Sequence, residues 1–165
     1  LSGGGQEAGL RSGTESVVLA AGMAAALAQI ERSNPDQLAG AGNGIADLRN
    51  ALRDRLLTDE RLVVCGDPDQ RLPHHLSLLV SDHNGQPVSG RQLVRSLDKN
   101  GLAVSSGSAC SSGKDSDSPI LTAMDLPQTM RRSSVRLSLG PWISAGDLDG
   151  ITERFFHGLE DVNNS

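Results

Sequence analysis

Residues 89–110 read SGRQLVRSLDKNGLAVSSGSAC, and this stretch decides the fold that we expect. Ser89 and Gln92 have the three-residue spacing of a capping box, which predicts that a helix begins here. Two leucines four residues apart share one face of that helix, and Gly101 is placed to end it. Residues 102–105 then predict a strand, because a short apolar run follows the helix end directly. A helix that passes straight into a strand indicates mixed layers of helix and sheet.

Similar signals flank this stretch on both sides. Upstream we predict a helix from a capping box at 12–15 through the apolar run 17–30, a helix start at Asn34, an amphipathic helix through 45–56, and strands at 61–65 and 76–80. Downstream we predict a short helix from Ser118, a strand at 135–139, and a last helix capped by Ser144 and Asp147. The run 17–30 is apolar on nearly every face, so its helix is expected to be buried. The predicted fold class is α/β, a small sandwich with helices packed on a small sheet and preceded by a helical arm.

Length and composition indicate one globular domain. The chain has 165 residues, of which 37% are apolar and 21% are charged. This balance is typical of folded proteins rather than of disordered ones. The sequence opens at Leu1 without an initiator Met and enters a glycine-rich loop at once. We therefore expect it to be the later part of a longer protein.

Composition also argues against two classes of partner. Aromatic residues make up only 2% of the chain and the net charge is -5. A base-stacking platform or a phosphate-neutralising basic surface is therefore not expected, so we expect no nucleic-acid partner. No apolar stretch reaches the roughly 18–20 uncharged residues that span a membrane, so we expect no membrane segment.

Cys65 and Cys110 are the only cysteines, which does not indicate a disulfide framework.

The glycine-rich segment at 3–14 is a candidate phosphate-binding loop. Glycines let backbone amides approach an anion closely, and the segment leads to a predicted helix N-terminus, where free N–H groups favour phosphate. Thr14 adds a hydroxyl and Arg11 adds a positive charge. The segment lacks the Gly-Lys-Ser/Thr ending of a Walker A motif. A flexible loop followed by an ordinary helix cap explains the same residues equally well.

Cys110 is a candidate reactive thiol. It lies in the segment SSGSACSSGK at 105–114, among hydroxyls and glycines, four residues before Lys114. A structural cysteine is normally buried among apolar neighbours, whereas this setting is typical of an exposed and reactive thiol. Cys65 lies on an apolar predicted strand and is expected to be buried and inert.

Arg136 is a candidate anion-binding residue. It lies in the predicted strand SSVRLSLG at 133–140, and by alternation it shares a face with the serines two residues away on each side. A guanidinium in that place either faces solvent or binds a carboxylate in a cleft through two parallel hydrogen bonds.

The histidines do not indicate a metal site. His74 and His75 are adjacent, so on a strand they would point to opposite faces. His83 lies in a predicted turn and His157 on the last predicted helix. We expect no bound metal.

Together, the segments at 3–14, 105–110 and 133–140 resemble the C-terminal part of the pyridoxal-phosphate-dependent cysteine desulfurases. The likeness is to the branch of the class V aminotransferase family that supplies sulfur for iron–sulfur clusters and for nitrogenase, in which the reactive cysteine lies in a Ser-Ser-Gly-Ser-Ala-Cys loop. The three motifs occur in the family's order and at similar separations. The likeness covers almost the whole chain.

The resemblance implies the C-terminal portion of a fold type I enzyme that works as a homodimer. Residues 1–33 would be a remnant of the large cofactor domain, and residues 34–165 would form the small domain with the reactive cysteine loop. Cys110 would attack the sulfur of cofactor-bound L-cysteine, leaving a persulfide on itself and releasing L-alanine. Arg136 would hold the substrate carboxylate. Thr14 would contact the phosphate of pyridoxal 5'-phosphate, usually that of the neighbouring subunit, and an iron–sulfur scaffold or other acceptor protein would take the sulfur.

The sequence departs from the family pattern at three places. The family's Schiff-base lysine follows a histidine upstream of the glycine-rich loop, and neither Lys99 nor Lys114 follows a histidine. Ala8 replaces an arginine that is common after the Gln-Glu pair. Residues 114–119 differ from the family's usual Glu-Pro-Ser stretch. We therefore expect the isolated chain to be inactive, because it carries the sulfur-accepting residue but not the lysine that anchors the cofactor.

Two other functions fit the same residues. A free-standing, non-catalytic module that relays persulfide sulfur through Cys110, or that binds a scaffold protein, needs only the cysteine loop. An enzyme resembling a selenocysteine lyase would use the same side chains, which do not separate selenium from sulfur chemistry. Two free thiols favour a cytoplasmic location.

Overall fold

The computed structural model describes residues 2–32, 44–106 and 118–163. The chain divides into two compact units, Leu1–Leu38 and Ala39–Ser165. The helix start predicted at Asn34 lies outside the described residues.

Within residues 2–32, the first unit holds a glycine-rich turn and one long helix. A short 3-10 turn spans Gln6–Gly9, and helix α1 spans Val17–Arg32. The Ser16 hydroxyl accepts a hydrogen bond from the N–H of Leu19 at 3.4 Å. The predicted cap at Ser12 is therefore wrong, because the hydroxyl that satisfies the first turn of the helix belongs to Ser16.

Helix α1 exposes its apolar side chains. Val18 is 80% exposed and Met23 is 67% exposed. The predicted burial of this helix is wrong for this chain. An apolar helix is buried only where other elements cover it, and within residues 2–32 the only other helical element is the short 3-10 turn.

The second unit is built on a four-stranded antiparallel sheet with the order β1-β2-β4-β3. Its strands are β1 (Leu62–Val64), β2 (His75–Val80), β3 (Ser105–Ser106) and β4 (Ser134–Ser138). Of the strand predicted at 102–105, only Ser105 lies in the sheet. The N–H of Leu102 instead donates to the Leu97 carbonyl at 2.8 Å, so this residue still belongs to the end of the preceding helix.

Helices complete the second unit. They are α2 (Ile45–Leu56), α3 (Gly90–Lys99), α4 (Pro119–Ala123), α5 (Gln128–Arg131) and α6 (Leu148–Asn163). The predicted caps of α3 and α6 are confirmed. The Ser89 hydroxyl accepts the N–H of Gln92 at 3.5 Å. The N–H of Ser144 donates to Asp147 Oδ2 at 2.8 Å, and this capping box begins a short 3-10 turn, Ala145–Asp147, that runs directly into α6. Helix α5 was not predicted.

The main core lies between the sheet and helices α2, α3 and α6. Its fully buried members include Leu52, Leu76, Leu78, Leu93, Leu97, Val135, Phe155 and Leu159. A smaller apolar cluster of Cys65, Leu79 and Leu121 lies apart from this core. The predicted α/β class, with helices packed on a small sheet, is therefore confirmed.

Candidate functional site

A cavity of about 280 Å³ lies beside the sheet, near the small end of the range of small-molecule sites. Its polar side chains come from β2, from β4, from the turn between β1 and β2, and from the start of α4. They include Arg71, His75, Ser77, Ser118, Ser134 and Arg136. All of these residues belong to the second unit.

Arg136 is placed in the cavity by the pairing of its strand. It lies directly opposite Ser77 of β2 and Ser105 of β3. Directly opposite residues in antiparallel strands share a face of the sheet. The predicted alternation is confirmed, because Val135 and Leu137 are buried in the main core. Within residues 44–106 and 118–163, no carboxylate forms an ion pair with Arg136, so its guanidinium is available for a ligand.

Arg71 is a second guanidinium in the cavity wall, and the sequence analysis missed it. Its Nε donates to the Asp67 carbonyl at 2.7 Å and its Nη2 donates to the Gly66 carbonyl at 3.2 Å. Its Nη1 is buried and has no hydrogen-bond partner among the described residues. The sequence holds no local signal for this role, because Arg71 lies in a predicted turn where an arginine ordinarily faces solvent.

His75 also lines the cavity, although the sequence analysis assigned no role to the histidines. Burial and the charges of Arg136 and Arg71 lower the pKa of the His75 imidazole below its ordinary value of 6.5. The imidazole is therefore mostly neutral at pH 7. Because it adds little positive charge, the two guanidiniums dominate the charge of this wall.

Cys65 is buried, as predicted. Burial raises the pKa of its thiol, which keeps the thiol protonated and weakly nucleophilic at neutral pH. Its N–H donates to the Ser77 carbonyl at 2.9 Å, and its side chain forms part of the cavity wall. The structure therefore gives Cys65 the character expected of an inert thiol, although it lies beside the site.

Cys110 lies outside the described residues, as does Lys114. The described residues on either side of this segment are Ser106, at the end of β3, and Ser118. Ser118 is buried, accepts the N–H of Leu121 at 3.4 Å as the cap of α4, and lines the cavity. Of the described residues that flank this segment, Ser105 therefore lies opposite Arg136, and Ser118 lies in the cavity wall.

Thr14 lies in the first unit, where it is exposed three residues before α1. The glycine-rich segment around it is held by its own side chains. The N–H of Gly13 donates to Gln6 Oε1 at 3.3 Å, and the Ser12 hydroxyl donates to the Gly4 carbonyl at 3.3 Å. These bonds form a compact turn before the helix. The phosphate contact of Thr14 stays a prediction.

In the part of the chain that the structure describes, no three His, Cys, Asp or Glu side chains are grouped so as to hold a metal ion. None of the described helices combines the length and apolarity needed to cross a membrane.

Comparison of the sequence with known proteins identifies a family. Residues 4–150 match the aminotransferase class-V family. The chain is 35% identical over 160 residues to cysteine desulfurase NifS from Azotobacter vinelandii, covering 92% of this chain and 36% of that protein. It is 35% identical over 149 residues to cysteine desulfurase IscS from Methylococcus capsulatus, covering 90% of this chain and 34% of that protein. The chain therefore spans little more than a third of these relatives.

Solved structures give the same result for the fold. The chain is similar to the X-ray structure of a NifS-like protein from Rickettsia africae, with a TM-score of 0.69 and 26% sequence identity. The match covers 97% of this chain and 39% of that one. The α/β fold described above is therefore that of one portion of a NifS-like protein.

Proposed function

The chain belongs to the aminotransferase class-V family, and on this basis we propose that it is the C-terminal part of a pyridoxal-phosphate-dependent cysteine desulfurase. The complete protein is then a sulfurtransferase that moves sulfur from L-cysteine to its own Cys110 and releases L-alanine. One observation carries the proposal: Arg136, without a carboxylate partner among the described residues, lies in a cavity that is also lined by Ser118, the first described residue after the segment bearing Cys110.

Arg136 holds the substrate in this proposal. A guanidinium binds a carboxylate through two parallel N–H···O bonds, which fixes orientation as well as position. Ser77 and Ser134 offer hydroxyls on the same cavity wall. L-cysteine bound in this way is small enough for a cavity of about 280 Å³.

Cys110 receives the sulfur. Cys110 is the fourth residue after Ser106, and an extended chain covers at most about 3.6 Å per residue, so roughly 14 Å is its limit of reach from β3. Its thiolate attacks the sulfur of L-cysteine and forms an S–S bond while the substrate C–S bond breaks. The electron pair of that C–S bond stays with the carbon fragment, which takes up a proton and leaves as L-alanine.

Pyridoxal 5'-phosphate, when bound, supplies the electron sink that makes the substrate C–S bond cleavable. Thr14, exposed beside a glycine-rich turn, suits contact with the cofactor phosphate. Lys99 does not suit the anchoring role, because it lies at the exposed end of α3 and does not line the cavity. We therefore propose that the isolated chain is inactive, and that the complete protein works as a cytoplasmic homodimer with an iron–sulfur scaffold or other sulfur-acceptor protein.

The test follows the sulfur atom in the complete protein. After incubation with the cofactor and L-cysteine, the protein is alkylated and its peptides are mapped by mass spectrometry. The Cys110 peptide should gain the mass of one sulfur atom, and L-alanine should form in step. Sulfur on Cys110 only from an external persulfide donor, with no alanine, would indicate a relay module. Faster alanine release from selenocysteine would indicate a selenocysteine lyase, and no sulfur on Cys110 from any donor would disprove both the desulfurase and the sulfur relay.

A further inference from the structure

We propose that Arg71 and Arg136 together form a binding site for a small dianion, with one acidic group held at each guanidinium. The inference rests on the proposed function, because Arg136 is the residue assigned there to a carboxylate. It adds a second charged contact and thereby defines the ligand class of the cavity.

The positive charge of the cavity wall is not balanced by ion pairs. In the ranges 44–106 and 118–163, neither Arg71 nor Arg136 forms an ion pair with a carboxylate. Asp67 is near enough for its charge to interact with Arg71. However, its Oδ1 already accepts the N–H groups of Asp69 at 2.8 Å and Gln70 at 2.7 Å. That carboxylate therefore stabilises its own turn.

A third arginine lies behind this wall. Arg49 is 6% exposed, and its Nη1 donates to the Leu72 carbonyl at 3.4 Å. Burial and the charge of Arg71 lower the pKa of Arg49, and Arg49, Arg71 and Arg136 all contribute to the lowered pKa of His75. Arg49 and Arg71 are therefore close enough to repel each other, all three guanidiniums lie near His75, and a bound anion would lower the positive charge at this wall.

Two buried hydrogen-bond donors without partners also favour a bound anion at this wall. Arg71 Nη1 and Arg49 Nε have no hydrogen-bond partner among the described residues. Buried polar groups are nearly always hydrogen-bonded, and a charged donor that is left unpaired is costly. An acidic group bound at Arg71 would satisfy its Nη1, which the main-chain carbonyls of the turn leave unused.

Both guanidiniums are attached to rigid parts of the fold. Arg71 is held by the carbonyls of Asp67 and Gly66, and Arg136 lies on a strand that is paired on both sides. A pair of fixed cations selects ligands with two negative groups at a matching separation. Dicarboxylates belong to this class.

Malonate and acetate are the matched probes, because they differ by one carboxylate. The full chain is titrated with each at constant ionic strength, and the His75 resonance is followed by NMR. Malonate should bind about tenfold more tightly than acetate. Arg71→Gln should abolish this preference and leave acetate binding unchanged, whereas Arg136→Gln should weaken the binding of both probes. Arg95→Gln, on the exposed face of α3, is the control and should change neither.

Equal affinities for malonate and acetate in the unaltered chain would overturn the proposal. So would an undiminished malonate preference in Arg71→Gln. If Arg71→Gln fails to fold, Arg71→Lys takes its place in the test. Lysine keeps the charge but not the fork of donors, so this variant should show an intermediate preference for malonate. Loss of the malonate preference alone leaves the proposed function standing, since that function depends on sulfur arriving at Cys110.

Discussion

Ser105 and Arg136 lie directly opposite each other in the antiparallel pairing of β3 with β4. The strand that bears the proposed carboxylate-binding residue therefore also anchors the segment that carries Cys110. Hydrogen-bonded neighbouring strands keep their register, so the starting point of that segment is fixed relative to Arg136. In the proposed function, this backbone pairing links substrate binding to sulfur acceptance.

Replacing Arg136 by lysine should weaken the use of L-cysteine in the complete protein. An ammonium group carries the charge but cannot form two parallel hydrogen bonds with a carboxylate. Loss of one charge-assisted hydrogen bond costs about 1.5–3 kcal/mol, which corresponds to a roughly tenfold to hundredfold fall in kcat/KM. Steady-state rates of alanine formation measure this. Arg95→Lys is the matched control, and equal kinetics for the two folded variants would show that Arg136 does not bind substrate.

Replacing Gly90 by alanine should destabilise the second unit. A Cβ at this position would lie 2.5 Å from the Ser134 carbonyl oxygen and 3.0 Å from the Arg132 carbonyl oxygen. Helix α3 would have to move away from β4, and such overpacking costs about 1–3 kcal/mol. Urea unfolding of the chain measures the change in the free energy of unfolding.

The control for that variant is Gly150→Ala in helix α6. Nothing lies within 4 Å of a Cβ added to Gly150, so alanine should raise the free energy of unfolding by up to about 1 kcal/mol. Wild-type stability in Gly90→Ala would contradict the close approach of α3 to β4.

The free energy of unfolding should fall in acid, in part because of Asp59. Its Oδ2 accepts a hydrogen bond from Arg61 Nη2 at 2.6 Å, and the hydrogen bonds from Arg61 hold the pKa of Asp59 below its ordinary value of 3.8. A carboxyl with a depressed pKa in the folded state stabilises the protein above its unfolded pKa. That contribution is lost as the pH falls through the folded pKa.

Asp59→Asn should therefore lower stability at pH 7 and give a shallower fall in stability below about pH 4. Thermal unfolding between pH 7 and pH 2 checks this. Asp54→Asn is the control, because Asp54 is 65% exposed in its ion pair with Arg53 and exposed pairs contribute little. If the stability of Asp59→Asn fell in acid as steeply as that of the wild type, Asp59 would not be a source of the acid sensitivity.

Features coded by adjacent residues were predictable from the sequence. The cap of α3 depends on Ser89 and Gln92, and the cap of α6 on Ser144 and Asp147, so a spacing of three residues was enough to locate each start. The face on which Arg136 lies follows from the alternation of a strand. In each case the interaction that determines the structure lies within one turn of helix or a few residues of strand.

Features that depend on distant residues were not predictable in the same way. Arg71 and His75 belong to the site only because β2 pairs with β4 and brings residues about sixty positions apart to one face. Nothing local distinguishes such side chains from ordinary surface cations. The apolar pattern of α1 was correctly assigned to a helix, but its burial depends on elements that the sequence of the helix does not encode.

The last prediction separates the two cysteines. A thiolate is the species that attacks sulfur, and burial raises the pKa of the Cys65 thiol. Alkylation of the folded chain followed by peptide mapping should therefore label Cys65 slowly. We predict fast labelling of Cys110, because its hydroxyl-rich and glycine-rich segment is typical of an exposed thiol.

Serine substitutions in the complete protein extend the same test to function. Cys110→Ser should abolish persulfide formation and sulfide release while leaving the fold and cofactor binding intact. Cys65→Ser is the matched control: it should preserve the chemistry but lower the free energy of unfolding, because Cys65 packs with Leu79 and Leu121 in the smaller apolar cluster. Fast labelling of Cys65, or full desulfurase activity in Cys110→Ser, would assign the sulfur to another residue. Because Cys65 lines the same cavity as Arg136, transfer of activity to Cys65 would show that proximity outweighs thiol ionisation at this site.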